Sequence, residues 1–365
     1  MAKKIVSTEE QIENFLSDPK HAKNHYNHLK EEWYQIPSGS LYLDAAMEGG
    51  LPPGVHRFTG VTEGGKTSCA LAFAKNFQEM FENSMVVYIR AEGRLTPKHL
   101  KRSGINTDPK RFFILDTNVF ETAFEFIRKL VFENDEKKKY FFIVDSVDAL
   151  GREDDMKKAF GDSDQVAGGA LISSVFLKKM VLPIMKTNHV VILTSQVRVE
   201  VSPNAGRGGP KKKEAGGNAV KHYSSHILEF CERFESKDVI WENPNPETID
   251  LRGEPIGHIC KIKFRKSVNE KSGASVRYPI KYGRTNGKSV WVEREVIELM
   301  GLWGFCEKAG SWYKFDEEIL KDAEKAGIDC PKSVQGLDKL TSLIESNEDL
   351  MNLIKDKILE EIEKS

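Results

Sequence analysis

A chain of 365 residues is long enough for about two domains and a sizeable buried core, which excludes a peptide hormone or a disulfide-stapled miniprotein. The 54 Lys and Arg nearly balance the 55 Asp and Glu, leaving a formal net charge of −1, so any nucleic-acid binding must come from local basic patches rather than the overall field. With 39% hydrophobic residues and 28 glycines, the composition is that of a globular protein and not of a disordered chain.

Residues 1–29 place apolar side chains at helical spacing among many charges, which predicts a small helical arm with little core of its own. The opening MAKKIVSTEEQIENFL turns acidic after two lysines and lacks the apolar stretch and cleavage site of a signal peptide. From Val55 onward, short apolar runs alternate with helical stretches: VHRFT, a helix after Lys66, MVVYIRAE, a helix near 121–132, YFFIVDS, a helix near 171–185, and HVVILTSQ. That alternation predicts an α/β fold with a mostly parallel sheet and helices on both faces. Further β-like runs at 226–230, 257–264 and 276–282 read as antiparallel strands added at the sheet edge, and from about 290 the pattern becomes helical to the end. The longest apolar runs, 141–144 and 190–193, are far short of the ~18–20 residues that span a bilayer. Five scattered cysteines (Cys69, Cys231, Cys260, Cys306, Cys330) include no C-x-x-C pair and fit a reducing cytoplasm. The expectation is a soluble, cytoplasmic protein with no membrane partner.

The sharpest motif is Gly60-Val-Thr-Glu63-Gly64-Gly65-Lys66-Thr67, a G-x-x-x-x-G-K-[ST] loop between an apolar strand and a helix. Glycines let backbone N–H groups approach phosphate oxygens, Lys66 brings positive charge to the outer phosphates, and Thr67, followed by Ser68, supplies a hydroxyl for Mg²⁺ at a favourable helix N-terminus. ATP or GTP binding is the expectation. Asp145 closes the strand YFFIVD with a carboxylate at the carboxyl edge; alone such a residue is commonly a helix cap, but beside a phosphate loop it is the expected metal-positioning group, with Ser146 adjacent. Glu92 ends MVVYIRAE, and if that strand lies beside the phosphate-loop strand its carboxylate points into the cleft and can activate water; otherwise it is a solvated loop glutamate. Gln196 ends HVVILTSQ, where an amide can sense an outer phosphate. The Gly-, Pro- and Lys-rich stretch that follows has no periodicity and reads as a long functional loop, its Arg198, Arg207, Lys211, Lys212 and Lys213 suited to a phosphate backbone.

Several separated segments resemble, in order, the RecA family of DNA strand-exchange ATPases, which includes phage recombinases. IPSGSLYLDAAMEGGLPPGVHRFTG resembles the family's approach to the phosphate loop, AEGRLTP its catalytic-glutamate segment and IVDSVDAL its Mg²⁺-site strand. GDSDQVAGGA is similar to its first DNA loop, TSQVR with GGNAVKHY frames the second, and KAGSWY opens the C-terminal lobe. The resemblance implies a RecA-like ATPase core over 36–285 with DNA loops at about 157–169 and 197–218, an N-terminal oligomerisation arm over 1–35 and a C-terminal α-rich domain over 286–365. It also implies ATP and Mg²⁺ as ligands. Gly60, Glu63, Gly64, Gly65, Lys66, Thr67 and Ser68 would hold the triphosphate, Thr67 and Asp145 the metal, Glu92 would activate water, and Gln196 would sense the γ-phosphate. A neighbouring subunit in a helical filament would add Arg265 and Lys266. Gln165, Arg198, Val201, Gly216, Gly217 and Asn218 fall in the DNA loops, and single- and double-stranded DNA, single-strand-binding proteins and loader proteins are the implied partners. The sequence departs from the family at Arg90, where an acidic residue is usual, and at Thr96, His99, Gln165 and His222. Two other readings share parts of this pattern: a ring-forming RecA-like helicase or branch-migration motor, and a non-catalytic recombination mediator.

Overall fold

The structure, a computed structural model, describes residues 7–18, 21, 33–157, 168–200, 211–214, 221–232, 236–243 and 252–364. The chain divides into two units, 1–34 and 35–365. In the first, helix α1 (Thr8–Ser17) starts at an N-cap in which Ser7 Oγ accepts from the Glu10 N–H at 3.1 Å, and Ile12 and Phe15 are exposed.

Among the described residues, the main sheet of the second unit has ten strands: β1 (Gly54–Gly60), β2 (Ser84–Arg90), β3 (Phe112–Asp116), β4 (Lys139–Asp145), β5 (Val190–Glu200), β6 (Lys211–Glu214), β7 (His226–Phe230), β8 (Val239–Trp241), β9 (Pro255–Lys266) and β10 (Ser275–Lys281). Their order is β10-β9-β7-β1-β5-β4-β2-β3, with β6 paired to β5 and β8 to β9. The run from β7 to β3 is parallel, and β6, β8, β9 and β10 pair antiparallel. The helices of this core are α2 (Leu41–Ala46), α3 (Lys66–Met80), α4 (Pro97–Ser103), α5 (Phe120–Phe132), α6 (Glu153–Met156) and α7 (Gly168–Lys186).

Three expectations change. The run 226–230 is not an antiparallel edge strand: β7 pairs in parallel with β1, and all five of its residues are buried, which suits a strand covered on both faces. The stretch after Gln196 is not structureless at its base, because the alternation Val197-Arg198-Val199-Glu200 carries β5 four residues further and β6 pairs back onto it. Strand β2 does not lie beside β1, since β5 and β4 intervene. The strand β3 was also not anticipated.

Alternate residues of each strand feed opposite faces of the sheet. On one, Val87, Ile89, Phe142, Val144, Val191 and Leu193 pack under α5 and α7 through Phe120, Phe124, Phe176 and Met180. On the other, Phe58 meets Phe73 of α3 at 6.1 Å and Phe230 at 5.5 Å, and Phe77 meets Phe141 at 5.3 Å. Such ring pairs add about 0.5–1.5 kcal/mol each beyond their buried area, and they fix α3, and with it the phosphate loop, against the sheet.

The C-terminal region mixes both element types: α8 (Val292–Leu302), α9 (Glu317–Ala326), α10 (Leu337–Ser346) and α11 (Glu348–Lys364) surround a core with the small sheet of β11 (Cys306–Ala309), β12 (Trp312–Phe315) and β13 (Ser333–Gln335). Its junction with α2 combines apolar packing of Leu41 against Val296 and Leu299 with a buried polar contact. Glu295 of α8, wholly buried, accepts from the Ser40 hydroxyl at 2.6 Å and the Leu41 N–H at 2.7 Å, and so caps α2 from a position 255 residues away.

Burial pushes the Glu295 carboxyl up to about 8 from an ordinary 4.5. The folded chain therefore holds a proton between those values that the unfolded chain releases, and this group's contribution to stability falls as pH rises across that window and is constant above it. Denaturant titrations from pH 5 to 8 should show this slope, flattened in Glu295→Gln. Glu295→Ala, which strands two buried donors, should lower the unfolding free energy by about 1–3 kcal/mol per donor.

Candidate active site

Strand β1 ends at Gly60 and α3 begins at Lys66, so the chain must reverse in the five residues between. Gly60 has φ +142°, and a Cβ there would lie 2.2 Å from the Phe230 carbonyl oxygen. Gly65, at φ +102°, is the N-cap of α3 and offers no side-chain cap, which leaves the first-turn N–H groups for a ligand. Lys66 Nζ donates to the carbonyls of Gly60 at 3.1 Å and Val61 at 2.7 Å. Burial pulls the Lys66 ammonium below its ordinary range, against the opposing field of Asp145, Glu92 and Asp148. Gly64 is buried, and Glu63 and Ser68 are exposed.

Asp145 is the centre of the arrangement. Its Oδ2 accepts from Thr67 Oγ1 at 2.8 Å and from the Tyr88 hydroxyl, and its Oδ1 accepts from Thr194 Oγ1 at 2.7 Å. One carboxylate thus ties α3, β2 and β5 to the end of β4. Burial, reinforced by Asp145, raises the Tyr88 phenol well above its ordinary range, which keeps it a proton donor. A carboxylate and a hydroxyl in hydrogen-bond contact are hard oxygen donors, the set that Mg²⁺ takes when phosphates and water complete its shell, so these residues fit that ion.

Glu92 reaches the cleft although its strand is not the neighbour of β1. The N–H groups of Ala91 and Glu92 donate to the Asp145 carbonyl at 3.0 and 3.3 Å, which turns the chain inward past the end of β2. Glu92 Oε1 accepts from the Ser146 hydroxyl and lies 3.4 Å from Gln196 Nε2, while Arg94 Nε lies 3.4 Å from Oε2. The Gln196 N–H donates to Asp148 Oδ2 at 2.5 Å. The structure therefore brings Lys66, Thr67, Glu92, Asp145 and Gln196 together at the carboxyl ends of β1, β2, β4 and β5. Sequence reasoning passed over Tyr88 and Thr194, which lie inside apolar strands, and Arg94 and Asp148, whose signal was a charged group just beyond a strand's end.

The basic segment is described only at its base. The register sets Arg198 opposite Lys213, Val199 opposite Lys212 and Glu200 opposite Lys211. Gln165, Val201, Arg207, Gly216, Gly217 and Asn218 lie outside the described residues. Arg265 and Lys266 do not join the cluster. They sit at the far end of the β7–β9 pairing, where Lys266 is opposite Ile227, whereas Phe230 is beside Gly60. There Arg265 Nε pairs with Glu229, and Lys266 Nζ donates to the carbonyls of Lys221 at 3.1 Å and His222 at 2.8 Å.

Gly60→Ala tests the loop geometry. The methyl group meets backbone rather than a flexible side chain, so the substitution should displace the loop and weaken binding of a fluorescent nucleotide analogue by at least about tenfold, the equivalent of ~1.4 kcal/mol. Wild-type affinity in the variant would contradict the assignment of the loop.

Known proteins are similar to this sequence over most of its length. The family model for the RecA N-terminal domain matches residues 5–246. Protein RecA of Cereibacter sphaeroides is 29% identical over 292 residues, covering 79% of this chain and 77% of its own. Protein RecA of Methylobacterium sp. is 29% identical over 335 residues, covering 90% and 83%. Among solved structures, that of the RadB recombinase aligns with a TM-score of 0.46 at 17% identity, covering 70% of this chain and 98% of that one. With two thirds of its residues matched by the family model, the chain belongs to the RecA family.

Proposed function

We propose that this member of a DNA recombination and repair family is an ATP-dependent recombinase: it coats single-stranded DNA as a helical filament, aligns it with a homologous duplex and exchanges strands. The observation that carries this reading is the double attachment of Gln196. Its side chain lies against Glu92 and its backbone against Asp148, and two residues later the same strand sets Arg198 opposite Lys213 at the root of a lysine-rich hairpin. In this reading a change at the outer phosphate would be one strand away from a group of cations that suits a nucleic-acid backbone.

In this reading the triphosphate lies along the first turn of α3, with Lys66 exchanging the Gly60 and Val61 carbonyls for phosphate oxygens. Mg²⁺ held by Thr67 and Asp145 would offset charge on the β- and γ-phosphates. Glu92 orients a water and takes its proton as the new oxygen–phosphorus bond forms; the bond from the γ-phosphorus to the bridging oxygen breaks, and its electron pair leaves with ADP. Arg265 and Lys266 would leave Glu229 and the Lys221 and His222 carbonyls to reach the phosphates of an adjoining subunit. Residues 1–35 would serve as the arm that links subunits. Nucleotide then acts as a switch, since it stabilises the DNA-bound filament only while the outer phosphate is in place.

Turnover by the purified protein should rise on adding single-stranded DNA. Lys66→Ala should abolish both turnover and strand exchange, and Glu92→Gln should bind nucleotide while its kcat falls by about 10²- to 10⁴-fold. Normal exchange by Lys66→Ala would overturn the proposal. Exchange-inactive protein without DNA stimulation would point to a mediator.

A further inference from the structure

The segment after β2 holds a cation that the mechanism above leaves idle. Gly93, at φ +70°, reverses the chain immediately after Glu92, and Arg94 folds back so that its Nε lies 3.4 Å from Glu92 Oε2. Both ends of this short loop are held. At one end the Ala91 and Glu92 N–H groups bond the Asp145 carbonyl. At the other, Arg90 grips both carboxylate oxygens of Asp116 at 2.5 Å and donates to the Leu95 carbonyl at 3.3 Å, with Leu95 itself buried. The backbone on either side of Arg94 is thus anchored, and its guanidinium lies beside Glu92, close enough for its charge to act on the Lys66 ammonium.

The strength of its present contact decides what it can do. The Arg94 side chain is 67% exposed and Glu92 18%, and an ion pair with so much water around one member is weak. An outer phosphate carries more negative charge than a carboxylate and accepts a guanidinium through two parallel bonds. Glu92 meanwhile keeps its bond from the Ser146 hydroxyl on the other oxygen, so it does not depend on Arg94 for its position.

We propose that Arg94 is a phosphate-contacting arginine supplied from within the same subunit: it rests on Glu92 Oε2 when the cleft holds no triphosphate and moves to the γ-phosphate when one binds. The exchange has two effects. It frees Glu92 Oε2 to accept the proton of the attacking water, and it places a guanidinium where charge develops on the transferring phosphoryl group. This inference rests on the nucleotide site proposed above and deepens it, because it adds a contact that no neighbouring subunit has to provide.

The test compares wild-type protein with Arg94→Ala and Arg94→Lys, an exposed position at which folding is not at risk. Two quantities are read: DNA-stimulated kcat, and the affinities for ADP and for ADP with aluminium fluoride, a mimic of the transferring phosphoryl group. Arg94→Ala should lower kcat by about 10³-fold. It should leave ADP affinity unchanged and weaken the aluminium fluoride complex by about 10²-fold, with Arg94→Lys recovering part of both losses. An unchanged kcat and an unchanged aluminium fluoride complex would overturn the proposal. So would a faster Arg94→Ala enzyme, which would make the Glu92 pair purely inhibitory. If the wild-type protein shows no DNA-stimulated turnover, the recombinase reading fails on its own, and selective loss of the aluminium fluoride complex still decides the role of Arg94.

Discussion

The cleft depends on one carboxylate. Asp145 ends β4 between the strands that bring the other groups, and its two oxygens and its backbone carbonyl are all engaged: Thr67 and Tyr88 on one oxygen, Thr194 on the other, and the Ala91 and Glu92 N–H groups on the carbonyl. A carboxylate with donors on both oxygens is held in one orientation. The phosphate-loop helix, the Glu92 segment and the strand bearing Gln196 are therefore positioned by reference to the same few atoms. Aromatic packing of Phe58, Phe73, Phe77 and Phe141 behind α3 makes that reference rigid.

Strand β5 carries the consequence outward. Within the sheet it is clamped between β1 and β4, with Val191, Ile192 and Leu193 fully or almost fully buried. Beyond Gln196 it pairs, among the described residues, with β6. One element thus joins a buried half within the sheet to a second half paired with β6. The lysines at 211–213 give that hairpin local positive charge in a chain whose net charge is −1.

Much of the fold was legible in the sequence because its signals are local. The phosphate-loop motif, the apolar runs that became β1, β2, β4 and β5, and the carboxylate closing YFFIVD are each contained in a few residues. Strand order is not local. Nothing within MVVYIRAE says that β5 and β4 separate it from β1, so the route of Glu92 into the cleft, through a turn held by the Asp145 carbonyl, had to be seen. The parallel placement of β7 was hidden for the same reason, since HILEF carries no mark of its partner. Tyr88 and Thr194 were masked by their surroundings: inside apolar strands they read as core, and only three-dimensional pairing shows that their hydroxyls converge on one carboxylate. Arg94 reads as a loop cation until Gly93 is seen to fold it back.

The most direct measurement is an electron cryomicroscopy reconstruction of the purified protein with single-stranded DNA and a non-hydrolysable ATP analogue. The predicted result is an open helical polymer in which the outer phosphate touches Lys66 and the Gln196 amide and the hairpin at 211–214 follows the DNA backbone. Isolated protomers or closed rings, with nucleotide bound and the hairpin away from DNA, would contradict it.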